Sequence, residues 1–303
     1  MHAYDLVITG GGPAGISASL YAVSRGLKTL LLEKNSIGGT IGTVSTVTHY
    51  TGLIEHESGA TFAARLKAQA ERAGVEVRYE PAVQVSLSGP EKTVSTDREQ
   101  YTSRAIILAN GTTPRKLGIP GESKLGGHGM DMNAAKDGAS FQGRNVYVVG
   151  GADGAIKEAI YLAQFAKKLT VIHFEDKLGA IPEFRNKLHA LPNVRVLLHT
   201  RLAAVRGESH VECLELTDEH TGAVREVKDD GCGIFVYAGS IPNTELYREL
   251  KLSDGFIPVN SKMETELPGV YAAGDICFKQ VRQVSTAVAE GAVAGIDAAA
   301  YLK

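Results

Sequence analysis

Apolar residues in this chain follow two rhythms that take turns. Short runs with few polar interruptions, "YDLVITG" at 4–10 and "KTLLLEK" at 28–34, read as buried strands, and "AGISASLYAVSRG" at 14–26 between them has the alanine-rich spacing of a helix. A strand, a helix and a second strand packed into that length predict a βαβ unit and a parallel sheet. The same order restarts at 145–177, "NVYVVGGADGAIKEAIYLAQFAKKLTVIHFEDK", and predicts a second, independent nucleotide-type unit. Shorter alternating runs follow, "VRVLLHT", "VECLELTD" and "VREVKDDGCGIFVYAG", with "HTG" at 220–222 as a tight turn between two of them. The final stretch, 269–302, reads as a strand, a polar loop and a long Ala/Val helix in need of an apolar surface. The expected fold class is therefore α/β, with two Rossmann-like three-layer dinucleotide-binding domains.

Composition narrows the function classes. At 303 residues the chain exceeds what one core usually holds, in keeping with two domains. A net charge of −2, 22% charged residues and no stripe of Lys or Arg argue against nucleic acid or an anionic membrane as partner, and leave small molecules or proteins. The N-terminus enters an apolar strand directly and no later run approaches a membrane span, so a cytoplasmic location is the expectation. The three cysteines, Cys213, Cys232 and Cys277, form no C-x-x-C pair, and no metal site is expected.

Both βαβ units carry a glycine-rich turn. The first, Gly10-Gly11-Gly12-Pro13-Ala14-Gly15, matches G-x-G-x-x-G between strand and helix, where glycines let the backbone approach a pyrophosphate at the helix N-terminus. Glu33 ends the next strand, 18 residues after Gly15, placed to accept hydrogen bonds from a ribose diol. A carboxylate there repels a 2′-phosphate, so FAD or NAD is expected rather than NADP. The second turn, Gly150-Gly151-Ala152-Asp153-Gly154-Ala155, carries a methyl group at the central glycine position, and Glu175 follows 20 residues beyond Ala155.

With these residues in place the chain resembles the low-molecular-weight thioredoxin reductases. "GGGPAG", Glu33, "IGGT" at 37–40, "AIILANGTTPRKLGIPGE" at 105–122, "SIPNT" at 240–244 and "GVYAAGDI" at 269–276 occur in that family's order and span essentially the whole chain. The resemblance implies a thioredoxin reductase-like FAD/NAD(P) fold, with a discontinuous FAD-binding domain at 1–112 plus 244–303 and an inserted nucleotide-binding domain at 113–243. It also implies FAD as cofactor and a homodimer. Asp275 is then placed at the ribityl-phosphate region and Arg282-Gln283 beside the flavin ring. Lys34, Gly39, Thr40, His49, Ala109, Gly111 and Gly274 complete the flavin-site candidates. Thr40 stands where the family has a flavin-contacting glutamine. His49 stands in place of an asparagine, where it either tunes proton transfer or packs.

Three departures from the family pattern set the functional expectation. Asn133-Ala134-Ala135-Lys136 precede Asp137-Gly138 where the family has its redox-active C-x-x-C, and neither an amide nor an ammonium replaces a thiolate in disulfide exchange. Ala152 crowds the second turn. His173-Phe174-Glu175 and Gly179 replace the H-R-R and further arginine that hold a 2′-phosphate, which disfavours NADPH and leaves NADH, another adenine nucleotide, a second FAD, or no ligand. The expected activity is electron or hydride transfer through FAD without an active-site disulfide, by a protein that is not an NADPH-thioredoxin reductase. NADH or a carrier such as ferredoxin would be donor, and a quinone, disulfide or second flavin acceptor. Alternatives are a tandem-flavin or ferredoxin-linked disulfide oxidoreductase, and a non-catalytic flavin- or nucleotide-binding sensor. Catalytic candidates are Asn133, Lys136, His49 and Cys277, the last either a redox thiol or a core residue.

Overall fold

A computed structural model describes residues 2–303 of the protein. The chain divides into two compact units, one made of the chain up to Thr113 together with Ile241–Lys303, the other of Pro114–Ser240.

The first unit opens with β1 (His2–Thr9), α1 (Pro13–Val23) and β2 (Thr29–Glu33), then α2 (Gly59–Arg72), β3 (Glu76–Tyr79), β4 (Ala82–Ser86), β5 (Lys92–Thr96), β6 (Gln100–Leu108) and β7 (Thr112–Pro114). In the second unit follow α3 (Glu122–Leu125), α4 (Ala134–Asp137), β8 (Asn145–Val149), α5 (Asp153–Leu162), β9 (Lys168–Ile172), α6 (Pro182–His189), β10 (Val194–Leu197), β11 (Thr200–Arg206), β12 (Cys213–Asp218), β13 (Val224–Lys228) and β14 (Gly233–Val236). After β15 (Ser240–Pro242), the return to the first unit brings β16 (Val270–Ala272) and α7 (Val284–Tyr301). The boundaries between the units fall inside β7 and β15.

In the first unit β3, β2, β1, β6 and β16 lie side by side in parallel, and the amino-terminal half of β6 pairs antiparallel with β5, which in turn pairs with β4. The strands Leu6–Thr9, Leu30–Leu32 and Ala105–Leu108 are buried on both faces, which is why they read as unbroken apolar runs. One face carries α1 and α7 over Leu6, Ile8, Leu31, Ala105 and Ile107; the other buries Val7, Leu30, Leu32, Ile106 and Leu108 against Tyr247, Leu250 and Ile257. The Ala/Val helix finds its apolar surface on α1. A Cβ at Gly291 would stand 2.1 Å from the Ala14 carbonyl and one at Gly295 2.5 Å from that of Ala18, so the two helices meet backbone to backbone. That contact fixes where the N-terminus of α7 points.

In the second unit β10, β9, β8 and β14 form a parallel sheet, with α5 packed on β8 and β9, and β11, β12 and β13 form a separate antiparallel meander. Its core gathers Val146, Val148, Ile156, Leu162, Leu169, Val171 and Phe235.

Candidate functional site

The carboxyl ends of β1, β6 and β16 converge, and with them the residues expected to hold a flavin nucleotide. Gly10 has φ +101° and a Cβ there would lie 2.3 Å from the Ala109 carbonyl oxygen, so only glycine fits. Ala109 N donates to Thr9 O at 2.8 Å, and Ala273 N to Leu108 O at 3.0 Å, which aligns the three strand ends. Gly12 is different: its φ is an ordinary −73° and a Cβ there would meet no atom within 4 Å. Its lack of a side chain leaves an open cradle at the N-terminus of α1. No side-chain hydrogen bond caps that helix and Pro13 follows at its first turn, so its free N–H groups face the cradle. Gly39 closes over the turn, its absent Cβ 3.3 Å from Gly12 Cα, and Gly38 N donates to Gly11 O at 2.9 Å.

Glu33 is buried at the end of β2. Its Oε2 accepts the Gly11 N–H at 2.7 Å and its Oε1 that of Asn35 at 2.8 Å, so the carboxylate is held beside the turn by two backbone donors. Lys34, Thr40 and His49 are exposed, His49 with a left-handed φ of 57°, a conformation that asparagine also tolerates. Gly111 and Gly274 both have positive φ at their strand ends.

Asp275 follows β16. Its Oδ1 is shielded from solvent and has no hydrogen-bond partner among the described residues. Burial holds its carboxyl above the usual carboxylate range, against the pull of Lys279 and Arg282. A shielded oxygen that accepts no hydrogen bond and has Lys279 Nζ 3.8 Å away, next to the open cradle at Gly12, fits the hydroxyl-bearing chain of an FAD. Arg282 lies with its guanidinium 4.0 Å from the centre of the Phe256 ring and reaches the carbonyls of Asp275 and Cys277. Gln283 is the N-cap of α7, its N–H bonded to Thr286 Oγ1 at 3.2 Å.

Two residues that the sequence reading missed complete this corner. Glu290 Oε2 accepts the Gly274 N–H at 2.8 Å, and Lys279 Nζ bridges both Glu290 oxygens at 2.9 and 2.8 Å, so α7 fixes the turn before Asp275. The signal was present: a carboxylate inside an Ala/Val helix needs a reason to be there. Asn110 was also missed. Its side chain accepts from Thr9 Oγ1 at 2.7 Å and its carbonyl from Asn243 Nδ2 at 2.8 Å, joining "ANG" to "PNT".

In the second unit the glycine turn repeats the geometry of the first. Gly150 has φ +132°, and a Cβ would lie 2.4 Å from the Tyr237 carbonyl. Ala152 has φ −83° and ψ 174°, close to the −73° and −178° of Gly12. Its methyl group costs no backbone strain and only narrows the cradle. The strand end, however, is shifted relative to the spacing argument. Gly10 N donates to Leu32 O at 2.8 Å and Gly150 N to Ile172 O at 3.0 Å, so His173, not Glu175, occupies the place of Glu33. The His173 ring lies where a Gly151 Cβ would be, 2.6 Å from it, and Glu175 Oε2 approaches His173 Nε2 at 3.1 Å. Glu175 therefore lies two residues beyond that position, with its carboxylate against the His173 ring. The loop after it is tied to the turn by Ala180 N to Gly151 O at 3.0 Å and Ile181 N to Asp153 Oδ1 at 2.8 Å. Gly154 and Ala155 lie in the first turn of α5, with Ala155 buried.

Asn133 and Asp137 close a short helical turn on each other. Asn133 Oδ1 accepts from Lys136 N at 2.9 Å and Asn133 N donates to Asp137 Oδ2 at 2.8 Å, while the Lys136 side chain is exposed. The carboxamide is an N-cap here. Among the described residues no group of three or more His, Cys, Asp or Glu is gathered to hold a metal ion, and no helix is long and apolar enough to cross a membrane.

Cys277 and Cys232 are each about 1% exposed, and burial pushes both thiols up to about 12. At pH 8 only about one in ten thousand would be thiolate. Iodoacetamide applied to the folded protein at pH 8 is expected to leave both unmodified and to reach Cys213 alone, with all three alkylated in denaturant. Fast alkylation of Cys277 in the folded protein, read by mass spectrometry, would restore it as a redox thiol.

Residues 4–291 match the family model described as pyridine nucleotide-disulphide oxidoreductase. The chain belongs to that family. It is 36% identical over 306 aligned residues to a protein from Peptoclostridium acidaminophilum called thioredoxin reductase, covering 99% of this chain and 97% of the relative. A thioredoxin reductase from Bacillus subtilis is 34% identical, with 99% and 95% covered. The crystal structure of Lactococcus lactis thioredoxin reductase superposes with a TM-score of 0.94 at 32% identity, 99% of each chain covered. The fold is thus the thioredoxin reductase-like FAD/NAD(P) fold, and the chain is a flavin-dependent oxidoreductase of that family.

These relatives correct the functional expectation. An activity other than NADPH-thioredoxin reductase, with its tandem-flavin, ferredoxin-linked and non-catalytic alternatives, does not stand against chains one-third identical over their whole length that carry the name thioredoxin reductase. The physical reason is one of scope. Residues 133–136 and 174–179 establish which side chains stand at two places, and not which overall reaction the chain performs.

Proposed function

We propose that this chain is a thioredoxin reductase-type enzyme, which takes reducing equivalents from a pyridine nucleotide and delivers them to a disulfide of a protein partner of the thioredoxin kind. The observation that carries the reading is the flavin corner of the first unit: the open cradle at Gly12 beside the shielded Oδ1 of Asp275, which accepts no hydrogen bond and has Lys279 Nζ 3.8 Å away, in a chain similar over its whole length to thioredoxin reductases. FAD, when bound, would supply the two-electron relay between a reduced nicotinamide and a disulfide.

The protein's own part is to bind and orient. The N–H groups at the start of α1 would face the pyrophosphate, Glu33 the adenosine ribose, and Asp275 Oδ1 a hydroxyl of the ribityl chain. The positive end of the α7 dipole, at Gln283, would favour negative charge on the ring's pyrimidine edge. Asn133 and Lys136 are not cysteines, and the chain has no C-x-x-C pair elsewhere, so the disulfide that is reduced is the partner's own.

The second glycine turn is read as the pyridine-nucleotide site, with Gly150, Gly151, Ala152, Asp153, Gly154 and Ala155 around the pyrophosphate of a reduced nicotinamide dinucleotide. Phe174, Glu175 and Gly179 offer a 2′-phosphate no cation. Homodimerisation and a cytoplasmic location belong to the same proposal, on family resemblance. The test is whether the FAD-loaded protein, given NADH or NADPH, generates new thiols on thioredoxin.

A further inference from the structure

Where the second glycine turn meets its strand, the chain carries a half-exposed aromatic residue. Phe174 is 44% exposed although it directly follows the buried His173. Its backbone is fixed on both sides, by Thr200 N donating to His173 O at 2.9 Å and His199 N to Glu175 O at 3.1 Å. One face of the ring is covered. The Arg201 guanidinium carbon stands 4.3 Å from the ring centre, and Arg201 is held there by Nε donating to Glu219 Oε2 at 2.8 Å. The His173 ring closes one edge at 5.3 Å between centroids, its plane inclined by 61°. What remains open is the other face.

The register of the two turns gives that face an address. With His173 at the place of Glu33, Phe174 takes the place of Lys34, the first residue past the ribose-binding position. In an open α/β sheet that position borders the crevice beyond the strand ends, where the adenosine half of a dinucleotide lies.

We propose that Phe174, backed by Arg201, is the platform on which the adenine of the donor nucleotide stacks, in place of the arginine pair that would grip a 2′-phosphate. Every base offers a π-face, and a guanidinium behind an aromatic ring both stiffens it and adds to the electrostatic attraction. Glu219 holds Arg201 by its Nε, and that keeps the guanidinium in place behind the ring as backing. Glu175, on the same strand end, then meets a ribose with free hydroxyls. This inference rests on the reading of the second turn as the donor site.

The two are separable in one experiment on the FAD-loaded full chain, by calorimetric titration with ADP-ribose, which carries the adenine, and with reduced nicotinamide mononucleotide, which lacks it. Phe174→Ala is expected to weaken ADP-ribose by about tenfold and to leave the mononucleotide unchanged, while Phe174→Trp keeps ADP-ribose near its native affinity. An ADP-ribose affinity within twofold of native in Phe174→Ala overturns the platform and leaves the donor site standing. Equal weakening of both ligands also overturns it, since the change would then be a general one. Failure of the unsubstituted protein to bind ADP-ribose at all overturns the platform and the donor site together.

Discussion

Gly12→Val is expected to give a folded protein that has lost its flavin. The Gly12 backbone is in an ordinary extended conformation and a Cβ there points into space with no atom within 4 Å, so the apo fold has nothing to clash with. Ala152 makes the same point from within the chain, holding an alanine in the matching backbone conformation of the second turn. What a side chain at position 12 fills is the cradle at the start of α1, where the pyrophosphate must come within hydrogen-bonding distance of the N–H groups. FAD affinity should fall by more than about a hundredfold, with a melting temperature close to that of the unsubstituted apoprotein; the loss is read as the flavin-to-protein ratio after purification in excess FAD. Gly10→Val is the contrasting control. Its φ of +101° and the Ala109 carbonyl 2.3 Å from any Cβ require the strand ends to separate, so that variant should fail to fold.

Phe174→Arg, Glu175→Arg and Gly179→Arg, combined, should turn the second site toward NADPH. Gly179 is outside the left-handed region and its Cβ would come no nearer than 4.0 Å to Gly151 O, so the loop accepts a side chain there. Two or more charge-assisted contacts to a phosphate are worth about 3 kcal/mol, a preference shift of about a hundredfold from NADH to NADPH. Affinities of both nucleotides for both proteins measure it. An unchanged ratio would mean that the 2′-phosphate is met by other residues, and that the loss of arginines at these positions had no consequence for the donor.

The βαβ grammar was legible because buried parallel strands have no polar interruptions: "LVIT" and "TLLLE" could be placed from their letters, and Glu33 with them. The strand end of the second unit was not legible to the residue. Spacing put Glu175 in the ribose position, while the hydrogen bond from Gly150 N to Ile172 O puts His173 there; a shift of two residues keeps the side chain on the same face and leaves no trace in the pattern. Contacts distant in sequence were likewise hidden. Glu290 caps the turn at Gly274 across sixteen residues, and the approach of α7 to α1 depends on Gly291 and Gly295 fitting Ala14 and Ala18. The missing cysteines at 133 and 136 could be read at once, but their absence was carried too far, from a local fact to the exclusion of an activity that whole-chain similarity supports.

The most direct measurement of the central claim is a count of thiols. The FAD-loaded protein is mixed anaerobically with oxidised thioredoxin and NADH or NADPH, and free thiols on thioredoxin are counted against nucleotide consumed, with Gly12→Val as the flavin-free control. The account predicts two new thiols for each nucleotide oxidised, with the native protein and not with the control. Nucleotide oxidation without thiols, or neither, would contradict it.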